Sequence, residues 1–587
     1  MPMKTAARMA ALAAAFAGLI ACSSTRSSET GESAPRFRVG AASRVPAFAS
    51  APLSAPALMR HIQTLSSDRF EGRAPGTRGE ALTLAYLEQA FSAAGLQPGV
   101  VRADGTRSWR QAVPLVAAQL SQAPTLSLSG TDGPRFYAYA TQFSAWTRRL
   151  EPVVTVTNAP LVFVGYGIVA PENNWNDYAG VDMRGKIAVI LINDPDFETG
   201  DDRGFGGRAM TYYGRWTYKF EEAARQGAAG ALIIHETAPA AYPWAVIQSS
   251  TGSPRFDIVR ADRGASRAGF EGWITQEVAQ ETFRRAGLDY EQLKTRARER
   301  GFRPAPMNLT GSLTLNTTIE ETTTYNVVGV LPGRTRPQET MLYSAHWDHL
   351  GRCPAVDGDT ICNGALDNAT GTAALIELGR RFASEGRPER SVAFIALTAE
   401  EQGLLGALYY RDHPVFPPAQ TVAALNMDGI NNFGPTHDIE IVGMGKSEMD
   451  AILTEVATAH GRRVVPDTRP EHGYFYRSDH LHFAQLGIPV LYPKAGVDMV
   501  NGGEARGQAI KDDYTAHRYH KPQDEVTDDW DMSGGVQDLV LFYEVGRRIV
   551  DSDIWPAWSA TAEFAAARTA SLAAAQSAPT TAITPSH

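Results

Sequence analysis

Several side chains that can bind a metal ion stand directly after predicted β-strands. The apolar runs 340–345, 391–398 and 421–427 are followed in turn by His346-Trp347-Asp348, Glu400-Glu401 and Asp428. Asp367 precedes a predicted helix and is expected to face the same crevice. Because ligands of an open α/β sheet bind at the carboxyl ends of its strands, these side chains should converge. Imidazole among carboxylates makes an oxygen-rich site, and a second histidine would complete the ligands for two divalent ions that share a carboxylate.

An alternation of strands and helices after residue 310 predicts the scaffold for these residues. Apolar runs bounded by turn residues occur at 325–331, 340–345, 391–398, 421–427 and 488–492, and an amphipathic helix is predicted over 371–384. This pattern predicts an α/β fold with a mostly parallel mixed sheet covered by helices. Earlier in the chain, helical spacing at 58–65 and 82–96 precedes a compact α+β region with β-rich runs at 160–169, 185–193 and 227–235.

The composition excludes several classes of protein. The 587 residues include 43% hydrophobic side chains, enough for a large core, and 55 basic against 64 acidic side chains give a net charge of −9. This balance argues against nucleic acid as a partner, because nucleic-acid-binding proteins carry a basic excess. Three cysteines rule out a disulfide scaffold and a cysteine-rich zinc fold. In an oxidising compartment, Cys353 and Cys362 are expected to form a local disulfide, with two free thiols as the alternative.

The N-terminus predicts export. Residues 1–21 have two basic residues followed by an uncharged apolar run, which is typical of a secretory signal and too short to span a bilayer. Leu19-Ile20-Ala21-Cys22 resembles the bacterial lipobox, so Cys22 is the expected lipidation site, and residues 22–54 read as a flexible tether. We therefore expect an outer-membrane-anchored lipoprotein that faces the periplasm or the cell surface. Residues 559–587 form an Ala-, Thr- and Ser-rich tail, with disorder expected at its end.

Five separated motifs in one order carry a family resemblance: His346-x-Asp348, Asp367-Asn368, Glu400-Glu401, Asn426-x-Asp428 and His520-Lys-Pro-Gln-Asp524. Together with Glu71-Gly-Arg-Ala-Pro-Gly-Thr-Arg-Gly79, they resemble the co-catalytic zinc exopeptidases of the bacterial secreted aminopeptidase type, peptidase family M28. The resemblance implies a zinc-exopeptidase fold of the phosphorylase/hydrolase type, formed by residues 55–150 and 316–558. The block 151–315 resembles the protease-associated (PA) domain that is inserted in many members.

The resemblance also implies a role for each motif residue. Asp367 would bridge two Zn²⁺ ions, for which Co²⁺ or Mn²⁺ could substitute; His346 and Asp428 would complete one ion, and Glu401 and His520 the other. Glu400 would be the general base, since it is adjacent to a ligand without being one. Asp348 fits a role behind His346, where its carboxylate would accept the imidazole N–H and fix the tautomer.

Some assignments remain open at this stage. His349 competes with His346 as a ligand, and His517 competes with His520; the family pattern favours His346 and His520. Either Tyr474 or Tyr476 could donate to the tetrahedral oxyanion, and packing is the alternative for both tyrosines. Ser478-Asp479-His480 has the residue types of a serine triad, but three consecutive side chains cannot form the relay, so we interpret the segment as local structure.

These features predict a metal-dependent exopeptidase, with an aminopeptidase that acts on peptide N-termini as the leading hypothesis. A carboxypeptidase of the same fold would need a cationic clamp, which Arg477 or Arg506 could supply. A glutaminyl cyclase is disfavoured because a full five-ligand set argues for two metals. From a different class, a non-catalytic peptide-binding surface lipoprotein is the remaining alternative. The sequence does not indicate side-chain specificity or oligomeric state.

Overall fold

The computed structural model describes residues 52–577. The predicted signal 1–21, the lipidation site Cys22, most of the tether and the end of the tail lie outside the described residues. The described chain forms two lobes: a first lobe of residues 52–120 and 317–577, and a second lobe of residues 121–316. No helix within 52–577 is long and apolar enough to cross a membrane.

The first lobe is built on a mixed sheet. Four parallel strands lie in the order Val490–Leu491, Thr421–Asn426, Arg336–His346 and Arg390–Leu397. The end of the long strand Ala305–Leu331 pairs antiparallel with Arg390–Leu397, and Gln97–Pro98 and Arg110–Leu120 pair with its other edge. A smaller sheet contains Asp438–Ile441, Arg463–Pro466 and Pro493–Ala495. The predicted α/β class with a mostly parallel sheet is confirmed.

Helices cover both faces of this sheet, which explains why the central strands are apolar along their whole length. In Arg390–Leu397, for example, Phe394 belongs to the core on one face and Ile395 to the core on the other. The helices of the first lobe are Ala55–Leu65, Arg78–Ala93, Thr370–Ser384, Leu405–Asp412, Met449–Ala459, His480–Gln485, Gly503–His517, Ser533–Val550 and Ala565–Ser577. Short helical turns lie at Asp68–Arg73, Ala365–Ala369, Pro470–His472 and Tyr474–Tyr476.

The second lobe has its own hydrophobic core, and its strands continue the sheet of the first lobe through Ala305–Leu331, so that fifteen strands form one sheet. Parallel strands Val153–Phe163, Ile187–Leu191, Gly230–His235 and Phe270–Thr275 form its centre, and Phe143–Trp146 closes one edge antiparallel. The hairpin Leu126–Gly130 and Gly133–Tyr137 joins through Ala305–Leu331. Its main helices are Trp216–Arg225, Gln276–Arg285 and Tyr290–Ala297, with shorter ones at Thr237–Ala240 and Trp244–Ser249.

The predicted domain boundary at residue 151 needs correction. Strands between Leu126 and Trp146 pair with strands of the second lobe, and their side chains belong to its core, so the second lobe begins soon after Leu120. The sequence could not show this boundary, because Phe143 pairs with a strand more than a hundred residues later and a local sequence pattern does not reveal such pairing. At the C-terminal end of the second lobe, the strand Ala305–Leu331 pairs with Val153–Phe163 up to Asn316 and with Arg110–Leu120 from Thr317. This change of partner lies next to the boundary predicted at 315.

A two-stranded hairpin, Gly351–Val356 and Asp359–Cys362, lies beside the crevice of the first lobe. Its strands are linked by a disulfide between Cys353 and Cys362, with 6.0 Å between the Cα atoms.

Candidate metal centre

The carboxyl ends of three parallel strands bring the predicted ligands to one crevice. His346 is the last residue of Arg336–His346, while Glu400-Glu401 and Asp428 follow the next strand on each side. Asp367 comes from the turn Ala365–Ala369, and His520 from the loop after helix Gly503–His517. These elements are far apart in sequence, so the sheet itself assembles the site.

Asp367 lies between the two histidines. Its Oδ1 is 3.3 Å from His346 Nε2, and its Oδ2 is 3.4 Å from His520 Nε2. His346 Nε2 is also 3.6 Å from Asp428 Oδ1, and His520 Nε2 is 3.0 Å from Glu401 Oε2. The five predicted ligands therefore lie in two groups, which we call half-sites, with Asp367 between them.

Two sets of three potential ligand atoms lie within 4.8 Å of one another: His346, Asp367 and Glu401 in one set, and His346, Glu400 and Asp428 in the other. The imidazole and carboxylate donors suit zinc, and the spacing of the atoms fits divalent ions. The donor chemistry therefore fits the implied metal, while the first set joins ligands assigned to different ions and the second contains the predicted base Glu400. Glu400, the predicted base, borders the half-site of Asp428.

Burial, hydrogen bonds and neighbouring charges shift the pKa values of this cluster. Burial opposes ionisation of Asp367, but hydrogen bonds from His346 and His520 hold its pKa well below the usual range. Despite burial, Glu401 and Asp367 raise the pKa of His520 to about 11. Burial raises the pKa of Glu400 well above its usual value, with Glu401 and Asp428 adding to the shift and His346 opposing it. Since ligating imidazoles must be neutral, metal binding here is coupled to proton release.

The predicted role of Asp348 needs correction. His346 Nδ1 lies 3.1 Å from the backbone carbonyl oxygen of Asp348, whereas the carboxylate Oδ1 is 3.9 Å away. The carboxylate instead accepts the backbone N–H of Glu400 at 3.1 Å. Asp348 thus orients His346 through its main chain and holds the Glu400 backbone through its side chain. Sequence spacing could not distinguish these two contacts.

A buried arginine from the early motif holds loops next to the predicted ligands. Arg73 is 1% exposed and donates to the carbonyls of Leu65, Trp347, Asn363 and Gly364. Burial lowers the pKa of Arg73 to about 10, while Asp524, Asp348 and Asp367 oppose that shift. Its charge therefore stays in place at neutral pH, behind the carboxylates of the site.

Gly364 and Asp524 shape the turn that carries Asp367. Gly364 has a φ of +57°, and a Cβ there would lie 2.3 Å from the carbonyl oxygen of Asp367 and 2.5 Å from the His349 ring, so a larger residue does not fit. Asp524 accepts the backbone N–H groups of Leu366 and Asp367 at 2.9 and 3.1 Å. The turn is thus fixed from two sides.

The competing histidines have other contacts. His349 is buried, and its Nδ1 is 2.6 Å from Glu401 Oε1, so it contacts a predicted ligand. His517 is exposed and pairs with Asp513 on its own helix, outside the cluster.

Neither of the tyrosines suggested for the oxyanion contacts the predicted ligands. Tyr476 is buried, and its hydroxyl donates to Glu563 and accepts from Lys446, which is a packing role. The Tyr474 hydroxyl is 3.1 Å from His472 Nδ1. Sequence reasoning missed Tyr492, whose hydroxyl donates to Asp428 Oδ2 at 3.1 Å. Its position at the end of the predicted strand 488–492 was an available signal.

The segment Ser478-Asp479-His480 lies beside the centre without forming a relay. Ser478 Oγ accepts from Asn426 at 2.8 Å, and the His480 ring packs against Phe475 and Tyr492. Asp479 is fully buried, and burial raises its pKa well above the usual value. Asp479 is therefore a further buried acidic group near the centre, in the segment that the sequence analysis interpreted as local structure.

Comparisons with known proteins find metallopeptidase relatives for the part of the chain that holds the predicted ligands. The family model of peptidase family M28 matches residues 326–543, a segment that contains all five predicted ligands. A probable zinc metalloprotease of Pyrenophora tritici-repentis is 26% identical over 209 residues, which cover 34% of this chain and 47% of that protein. The aminopeptidase YwaD of Bacillus subtilis is 33% identical over 92 residues, 16% of this chain and 18% of that protein.

These matches are partial, since the chain spans less than half the length of these curated relatives. Among solved structures, an aminopeptidase from Aneurinibacillus sp. strain AM-1 has 18% sequence identity and a TM-score of 0.46, covering 86% of this chain and 95% of its own.

Proposed function

We propose that the protein is a zinc-dependent exopeptidase, and specifically an aminopeptidase that removes N-terminal residues from peptides. The observation that carries the proposal is Asp367, which presents one carboxylate oxygen to each of two histidines. The match of residues 326–543 to peptidase family M28 supports the same class of enzyme.

In this proposal, His346 and Asp428 would hold one Zn²⁺, Glu401 and His520 would hold the other, and Asp367 would serve both. Bound zinc lowers the pKa of a water molecule and polarises the scissile carbonyl. The protein orients the ligands through outer contacts: Tyr492 donates to Asp428, and His349 contacts Glu401.

Glu400 is the proposed general base. It adjoins Glu401 in sequence, lies within 4.8 Å of ligand atoms of His346 and Asp428, and keeps partial access to solvent. It would accept the proton of the attacking water and donate it to the departing amine.

The test is Glu400→Gln, compared with the exposed Glu320→Gln as a matched control. We expect E400Q to lose at least about a hundredfold in kcat while it binds zinc as the wild type does, and E320Q to keep both properties. Activity of E400Q within about tenfold of the wild type would refute the base assignment.

Polarity is tested with aminoacyl-p-nitroanilides beside N-blocked and C-blocked peptides, before and after chelation and zinc return. We expect chelator-sensitive cleavage that requires a free N-terminus. Cleavage of N-blocked peptides from the other end would make the protein a carboxypeptidase, and cyclisation of N-terminal glutamine a glutaminyl cyclase. Zinc binding without turnover on any of these substrates would favour a binding protein.

We also propose that lipid on Cys22 anchors the enzyme to the outer membrane and that the second lobe is a PA domain. The Leu19-Ile20-Ala21-Cys22 pattern and the position of the second lobe between the two parts of the first support these proposals. Metabolic labelling with a fatty acid should mark the wild type but not Cys22→Ala. Equal labelling of both would refute the anchor.

A further inference from the structure

A segment of the second lobe reaches the loop that borders the metal centre. Met210 donates its backbone N–H to the carbonyl of Pro470 at 3.0 Å, and Gln485 Nε2 donates to the Tyr212 hydroxyl at 3.2 Å. The Tyr212 ring also lies 6.1 Å from the ring of Tyr476. These contacts hold residues 210–215 against residues 470–477 of the first lobe.

Three cations gather at this junction: Arg215 from the second lobe, and Arg477 and Lys494 from the first. Arg477 Cζ and Lys494 Nζ each lie 5.6 Å from the centre of the Tyr474 ring. Lys494 Nζ is also 5.1 Å from the ring of Tyr492, the residue whose hydroxyl donates to Asp428. We call Arg215, Arg477 and Lys494 the cationic rim; it lies one side chain away from a predicted metal ligand.

No carboxylate in residues 52–577 forms an ion pair within 4.0 Å of any rim cation, although acidic residues outnumber basic ones in the whole chain. The Nε of Arg215 is buried and has no hydrogen-bond acceptor. Arg462, whose Nε is likewise buried, differs in being paired, since its Nη1 is 2.7 Å from Asp538 Oδ1. A buried cationic donor without a partner is costly, so a site that keeps one is poised for an anion.

The electrostatic environment of Arg215 also favours the binding of an anion. Burial lowers the pKa of Arg215 to about 9, and the nearby positive charge of Arg477 adds to the shift. Arg215 is therefore still protonated at neutral pH, and it faces a like charge. An anionic group placed between Arg215 and Arg477 would relieve both the desolvation and the repulsion.

We propose that the cationic rim binds a carboxylate of the substrate, so that the enzyme prefers peptides with a carboxylate close to the scissile bond. This inference rests on the proposed peptidase function and extends it to a substrate class. The carboxylate can be the C-terminus of a dipeptide or the side chain of an acidic residue. Arg215 would make the second lobe part of the binding site.

The test compares substrates that differ only in one carboxylate. Ala-Ala against Ala-Ala-amide probes a terminal carboxylate, Glu-Ala-amide against Gln-Ala-amide probes the first side chain, and Ala-Glu-amide against Ala-Gln-amide probes the second. For the zinc-loaded wild type, we expect kcat/KM to favour the charged member of at least one pair by roughly tenfold or more. The pair that responds identifies the source of the carboxylate.

The same ratios are then measured for Arg477→Gln, Arg215→Gln and Lys494→Met, with exposed Arg303→Gln as the control. We expect the preference to fall toward 1 in the rim variants, to persist in the control, and to return in part in Arg215→Lys. Arg477 is exposed, so R477Q decides the matter even if R215Q folds poorly.

The outcomes separate the two proposals. If the wild type cleaves the peptides but prefers none of the charged members, or if R477Q and R215Q keep the preference, the rim proposal is overturned and the peptidase stands. If the zinc-loaded wild type cleaves none of the peptides, the peptidase function fails and the rim proposal falls with it.

Discussion

Replacing Arg73 by methionine should destabilise the protein and weaken zinc binding at the same time. The guanidinium is buried and donates four hydrogen bonds to backbone carbonyls, of which three belong to loops next to ligands: Trp347 follows His346, and Asn363 and Gly364 precede Asp367. Methionine fills much of the volume but satisfies none of the four acceptors.

The size of the effect follows from these contacts. At about 1 kcal/mol for each unsatisfied buried carbonyl, near the lower end of the measured range, R73M should lose about 4 kcal/mol of unfolding free energy. Arg73→Lys keeps the charge, but the single lysine nitrogen cannot donate to all four carbonyls. This variant should therefore lose about half as much unfolding free energy. Zinc affinity should fall by about tenfold or more as the loops relax.

Urea unfolding of the metal-free protein gives the first quantity, and zinc titration against a chromophoric chelator gives the second. Arg390→Met is the matched control, because Arg390 is also buried and donates to the carbonyls of Ile549 and Ile554, on the opposite side of the lobe from the ligand loops. We expect R390M to lose stability and keep its zinc affinity. Wild-type stability and zinc affinity in R73M would refute the reasoning.

Two further predictions concern pH and the ligands' outer contacts. Burial lowers the pKa of His482 to about 3 from 6.5, so only the unfolded chain takes up this proton between those pH values and stability falls as pH falls. Between pH 7.5 and 5, the wild type should lose about 2 kcal/mol more than His482→Gln in urea unfolding, and equal losses would contradict the shift. Tyr492→Phe removes the donor to Asp428 and should weaken zinc binding by about tenfold, whereas Tyr410→Phe, a buried control, should not; unchanged affinity in Y492F would exclude the contact as an orienting one.

Much of the scaffold was predictable because its signals are local. Fully apolar runs such as 391–398 and 421–427 report burial on both faces of a sheet, and helical spacing over 371–384 matches Thr370–Ser384. Since the carboxyl ends of parallel strands meet at one edge, the convergence of His346, Glu400 and Asp428 followed from the order of elements. The start of the second lobe was misplaced, because Phe143 pairs with a strand distant in sequence.

The finer contacts depended on three-dimensional packing. The sequence by itself determined which residue types follow which strands, and so the chemistry available at the crevice. Two contacts depend on side-chain directions, which sequence spacing does not encode. The Tyr476 hydroxyl contacts Glu563 instead of facing the crevice, and Asp348 contacts His346 through its carbonyl instead of its carboxylate. The tertiary structure alone placed Arg73 behind the ligands and Arg215 of the second lobe beside Arg477, because distant segments meet only when the chain is folded.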